Sequence, residues 1–185
     1  MQSDLLLQHQ IAQTTQILLE LEKIRMLNEG DLRWRASESS WNILECIEHL
    51  NRYGNHYLPA IDGAIQKAKK PKEETFHPGF LGDYFAKSML PAAQMKKIKT
   101  FKDKNPLDTD LSISVLDTCI QQQKDLLQLL EKASKVSLNK TRVTTSISAM
   151  IRLKLGDTFQ FLINHILRHL KQIADIQAAT SRFSR

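Results

Sequence analysis

The stretch Asp157-Thr-Phe-Gln-Phe-Leu-Ile-Asn-His165-Ile-Leu-Arg-His169-Leu-Lys-Gln172-Ile173 decides the fold class, because its apolar residues recur with a helical period. At about 100° per residue, with His165 set at zero, Phe159, Leu162, Ile166, Leu170 and Ile173 fall between about +60° and +140°. Gln160, Asn164, Lys171 and Asp175 lie on the other side. His169 comes at about +40° and Gln172 at about −20°. Both histidines therefore run along one margin of the buried arc, where a polar ring is costly unless its nitrogens are satisfied.

The same period appears in three further blocks. Residues 3 to 28 place Leu7, Ile11, Leu18, Leu21 and Ile24 on one face and stop near Asn28-Glu-Gly30. A second helix is expected from Trp41 to about Lys69, capped by Ser39 or Ser40 and bent at Pro59. The glutamate that would complete a capping box from either serine is missing. A third is expected from a cap at Asp108 or Asp110 to about Lys135, with Ile113, Leu116, Ile120, Leu127 and Leu130 inward. The last is expected from about Asp157 to Ala179, with Thr180 to Arg185 frayed. Between the second and third, Pro71, Pro78-Gly79, Gly82, Pro91 and Pro106 forbid one regular element, although Leu81 to Met89 fits a short helix. A connecting segment from Ser137 to Gly156 precedes the last helix, and period-2 alternation is nowhere sustained. The expectation is an all-α four-helix bundle with a long crossover between the second and third long helices, in a single domain over residues 1–185.

Composition narrows the setting. Cys46 and Cys119 are the only cysteines and have no CxxC spacing, which reads as two thiols in a reducing, cytoplasmic compartment. The first residues lack a basic leader pattern, and no run is long and apolar enough to span a bilayer, so neither secretion nor a membrane is expected. The net charge of +6 comes from residues 67 to 104, which hold ten lysines, no arginine and four acids. That is a solvated lysine-rich segment rather than a footprint for nucleic acid, because helix-turn-helix punctuation, zinc-finger spacing and aromatic interleaving are all missing.

The second helix repeats the arrangement of the last. With His49 at zero, Leu50, Tyr57, Ile43 and Ile61 cluster at about +80° to +120°, and Cys46 and Tyr53 lie between them and the histidine. If the two margins meet, His49, His165 and His169 converge, and three imidazoles are the smallest set that makes an open transition-metal site. Among six scattered histidines an i,i+4 pair arises by chance often enough that the spacing alone names no site. The joint pattern of pair, third histidine and matching faces carries the argument.

The residues also resemble a known family. Trp41-Asn-Ile-Leu-Glu45-Cys-Ile-Glu-His49-Leu50, Tyr57-Leu-Pro59-Ala-Ile61 and Leu155-Gly-Asp157 through Ile173 are similar to the DinB-like superfamily, which takes in the bacillithiol-transferase type. Phe80-Leu-Gly-Asp-Tyr84 and Lys99-Thr-Phe101 through Pro106 resemble its branch with a long second crossover. The resemblance implies a four-helix bundle whose His49, His165 and His169 bind a divalent nickel, zinc or similar ion. It further implies a low-molecular-weight thiol as co-substrate in S-transfer or thiol-dependent isomerisation, a small-molecule substrate and a homodimer. The family name refers to DNA-damage induction and implies no DNA binding.

Three neutral imidazoles leave a divalent ion with open positions for a thiolate or a water, giving a transferase or a hydrolase. Peptide hydrolysis of the zincin type is not expected, since position 166 is Ile where that motif has its glutamate base. Gln172 is a candidate to fix a ring tautomer or hold metal water, Glu45 a candidate general base or a solvated helix residue, and Tyr53 a candidate pocket residue. His56 reads as a bystander, Cys46 as a small buried hydrophobe and Trp41 as a core anchor. A metal-holding stress or interaction protein without turnover is the alternative, recognised by a site sealed with apolar side chains.

Overall fold

The computed structural model describes residues 1–92 and 99–183, the side chain of Phe183 excepted. Four long helices, α1 (Ser3–Arg25), α3 (Ile43–Gln66), α5 (Ser114–Ala133) and α6 (Leu155–Phe183), make the bundle. Two shorter helices, α2 (Glu29–Arg33) and α4 (Phe80–Ser88), a 3-10 turn (Lys102–Lys104) and two strands, β1 (Arg142–Thr144) and β2 (Arg152–Lys154), complete it. The contacts fix the directions. Asn51 reaches the Val115 carbonyl and Asp62 pairs with Lys132, so α3 and α5 run parallel. Tyr57 packs on Phe161 and His49 on His165, so α3 and α6 are antiparallel. A parallel pair cannot be joined by a tight turn, which is why residues 67–113 form a long crossover.

Of the apolar residues read from the sequence, Leu21, Ile43, Ile61, Leu116, Leu130 and Phe159 are inaccessible to solvent, whereas Ile11, Leu18 and Leu127 are only half-buried; Ile17, Ile47 and Ile163 also fill the core. At Gly54 the α3 backbone lies against Gln122, whose amide donates to Asn51 O and Asn55 Oδ1, and any Cβ there would overlap the amide. Pro59 lies within α3, and the helix runs on through it.

Several boundaries differ from the sequence expectation. The second long helix begins at Ile43 rather than Trp41, and its cap is Asn42 rather than a serine. Asn42 Oδ1 accepts from Glu45 N while Glu45 Oε2 accepts from Asn42 N, so the capping box exists, two residues beyond the serines. Helix α5 starts at Ser114 without a side-chain cap, and Ile113 is half exposed just outside it. Asp108, expected as a cap, instead turns the chain at φ 59° and pairs with Arg35. Helix α1 ends at Arg25, and the expected stop at Asn28-Glu-Gly30 instead opens α2, with Asn28 as its cap and Gly30 inside it. Helix α6 extends through Thr180 to Phe183, while Ser184 and Arg185 lie outside the described residues. Of the lysine-rich segment, Lys96 and Lys97 also lie outside them.

Strands β1 and β2 form an antiparallel hairpin that the sequence reading lacked. Each is three residues long with one buried residue, Val143 or Leu153, so neither carries enough alternation to register as period 2. Among the described residues no helix is long and apolar enough to cross a membrane.

Candidate metal centre

The capping box that starts α3 fixes the helix phase one turn before His49. Glu45 is 1% exposed and fully engaged: besides the cap, its Oε1 accepts from Arg35 at 3.1 Å and from Asp108 N at 2.9 Å. It is neither the solvated residue nor the free base that the sequence allowed. Its carboxylate ties together the loop before α3, the helix itself and the end of the crossover.

One turn on, His49 meets His165 and His169 across the α3–α6 interface, and all three rings are buried, at 3, 4 and 8% exposure. His49 Nε2 lies 3.2 Å from His165 Nε2, and His169 Nε2 lies 3.0 Å from the same atom. One ligand atom from each ring falls within 4.8 Å of the others. Residues i and i+4 of α6 and one residue of α3 are thus brought to a point, as their helical faces require.

The outer nitrogens set the tautomers. His49 Nδ1–H donates to the Lys104 carbonyl at 2.8 Å, and His169 Nδ1–H donates to Gln172 Oε1 at 3.0 Å. Each ring therefore presents an Nε2 lone pair inward. His165 Nδ1 is buried with no hydrogen-bond partner. A proton on His165 Nε2 serves only one of its two neighbours, and a proton on Nδ1 has no acceptor and leaves three lone pairs facing one another. Either way the protein's own protons cannot satisfy the cluster. A divalent cation could satisfy all three Nε2 atoms: the 3.2 and 3.0 Å separations from His165 Nε2 lie close to the roughly 3.3 Å edge of a tetrahedron with bonds of about 2.0 Å, and the three ligand atoms lie within 4.8 Å of one another. The donor set fits the ion.

Burial also keeps the rings neutral. Desolvation pushes His49 down to about 4 and His169 down to about 3, and it holds His165 well below the ordinary imidazole value. Nearby cations, Arg52 and Lys104 for His49 and Arg168 for the other two, act in the same direction. Neutral imidazole is the ligating form.

Aromatic rings enclose the cluster. The Trp41 ring lies 4.8 Å from His49 and 6.0 Å from His169, Tyr53 lies 4.5 Å from His165, and Phe161 stacks on His165 at 5.9 Å. Tyr53 packs against His49 and His165, and burial pushes its hydroxyl up to about 12. Trp41, expected as a core anchor, also covers two of the histidines, and its indole N–H donates to Asn105 Oδ1 in the crossover. His56 turns away to the Thr144 carbonyl. Cys46 is a buried free thiol pushed well above its ordinary value by desolvation.

What the sequence did not signal is the role of residues 101–108. Besides the Lys104 carbonyl on His49, Asn105 O accepts from Arg52, and Asp108 N donates to Glu45. This stretch straps the back of the centre through main-chain groups, which every residue type carries, so composition cannot reveal it.

A family model described as the DinB superfamily matches residues 10–173. No curated protein and no solved structure matches the chain.

Proposed function

The chain belongs to the DinB superfamily, and on that footing we propose that it is a metal-dependent enzyme whose His49, His165 and His169 hold a divalent nickel or zinc ion. One observation carries the reading: three buried Nε2 atoms meet with more lone pairs than protons to satisfy them. When bound, the ion supplies Lewis acidity that generates a thiolate or hydroxide nucleophile at neutral pH. The chain's own residues prepare for this. The Lys104 carbonyl and Gln172 Oε1 lock two tautomers and keep their lone pairs inward. Trp41, Tyr53 and Phe161 exclude water and lower the local dielectric. With Glu45 committed to the cap and to Arg35, no carboxylate is assigned as a base.

A small thiol is the favoured co-substrate, in an S-transfer to a small-molecule electrophile, because the family resemblance points there. The same resemblance supports a homodimer, and the two free cysteines fit a cytoplasmic enzyme. The enclosure by aromatic rings favours the second reading, a metal-holding stress or interaction protein without turnover.

Elemental analysis of protein purified without a histidine tag tests the centre. Wild type is expected to carry close to one ion per chain, and H49A and H169A to lose it while keeping their helical circular dichroism. Metal content unchanged by either substitution would remove these residues from the ligand set. A screen of small thiols with electrophiles then separates the two readings: turnover by the loaded protein supports the enzyme, and none favours the holding role.

A further inference from the structure

A second cluster lies just before the start of α6. The hairpin register places Arg142 directly opposite Lys154, and Val143 and Leu153 turn inward, so the two cations share the outer face. Like charges at facing positions of an antiparallel pair repel. Lys140 lies beside them, and all three line a cavity of about 440 Å³ together with Glu73, His77 and Asn139. Among the described residues, none of the three cations forms an ion pair.

The rest of the lining is held in place. Glu73 Oε2 accepts from Ser137 Oγ at 2.5 Å and from Asn139 Nδ2 at 2.7 Å. Asn139 also accepts from His77 N and donates to the Thr75 carbonyl. Lys154 Nζ is fixed by the His77 carbonyl at 2.6 Å. Asp157, the first acid of α6, is 1% exposed; its Oδ2 accepts from Gly79 N, and its charge also feels Lys154 and Arg142, although it does not line the cavity. Three cations thus line one cavity against a single lining carboxylate, Glu73, which bonds two neutral donors and feels Lys140, with the buried Asp157 behind.

We infer that this cavity is an anion site for a phosphate dianion, most fittingly one carried by a small organic molecule. Phosphate bridges the two facing cations and turns their repulsion into attraction. The volume exceeds what the bare ion needs and falls within the range of small-molecule sites. About ten residues of helix, or roughly 15 Å, separate Lys154 from His165, so the site is distinct from the histidine centre.

Calorimetric titration of the full-length protein in a low-chloride buffer tests this, with inorganic phosphate in one arm and glycerol 3-phosphate in the other. Saturable binding is expected, tighter for the ester and weakened at least about tenfold in R142Q/K154Q. Equal affinity for both probes would still support the site and assign it to the free ion. In ligand-free buffer the double variant loses the Lys154 bond to the His77 carbonyl as well as the repulsion, so it is expected to keep its helical circular dichroism. Its metal content should be unchanged. The inference is overturned by lack of saturable heat in both arms or by equal binding in the variant.

Discussion

Gln172 shows how much of the centre rests on groups that do not point into the histidine cluster. Its amide oxygen holds the His169 Nδ1 proton, so Gln172→Ala removes the group that orients one ring without touching the cluster. Metal affinity is expected to fall about 10- to 100-fold with the fold intact, measured by competition with a chromophoric chelator beside circular dichroism. Unchanged affinity would reduce Gln172 to a polar residue at the edge of the core. The sequence could single it out because its angle on α6 follows from the helical period alone. The partner of His49 was beyond reach, because a backbone carbonyl 55 residues away leaves no trace in residue type. Glu45 was visible as a candidate but with the wrong partners, since its bonds to Asn42, Arg35 and Asp108 depend on where the cap falls.

At the scale of elements, α3 is anchored by that carboxylate. Glu45→Ala removes the reciprocal cap, leaves the partly buried Arg35 unpaired on one side and orphans Asp108 N, with an expected cost of about 2–4 kcal/mol. Urea denaturation should show a lower midpoint and an unchanged slope. Loss of turnover with unaltered stability would instead mark Glu45 as part of the chemistry. The long helices were legible because each holds three or more turns of one period. Their ends were less so: α5 begins without a side-chain cap, and the cap of α3 lies two residues past a pair of plausible serines. The hairpin was invisible for the opposite reason, being too short to show a period at all.

For the whole molecule, burying three imidazoles makes stability depend on pH. The unfolded chain takes up their protons near pH 6.5, whereas the fold holds His49 to about 4 and His169 to about 3. Between these values the unfolded state binds protons that the folded state refuses, so stability is full above about pH 6.5 and declines toward pH 4. The decline is up to about 1.4 kcal/mol per pH unit for each ring. Urea midpoints of metal-free protein at pH 7.5 and pH 5 check this, and replacing the three histidines by glutamine should flatten the difference. A wild-type midpoint that did not move would contradict the burial argument. The topology adds a constraint in time. His49 and His165 stand 116 positions apart, at opposite sides of an interface that needs the final helix. At ribosomal speeds of about 5–20 residues per second, roughly 6 to 23 seconds pass between the synthesis of the first imidazole and the second. Until His169 has been added, a nascent chain therefore cannot offer all three rings to one ion.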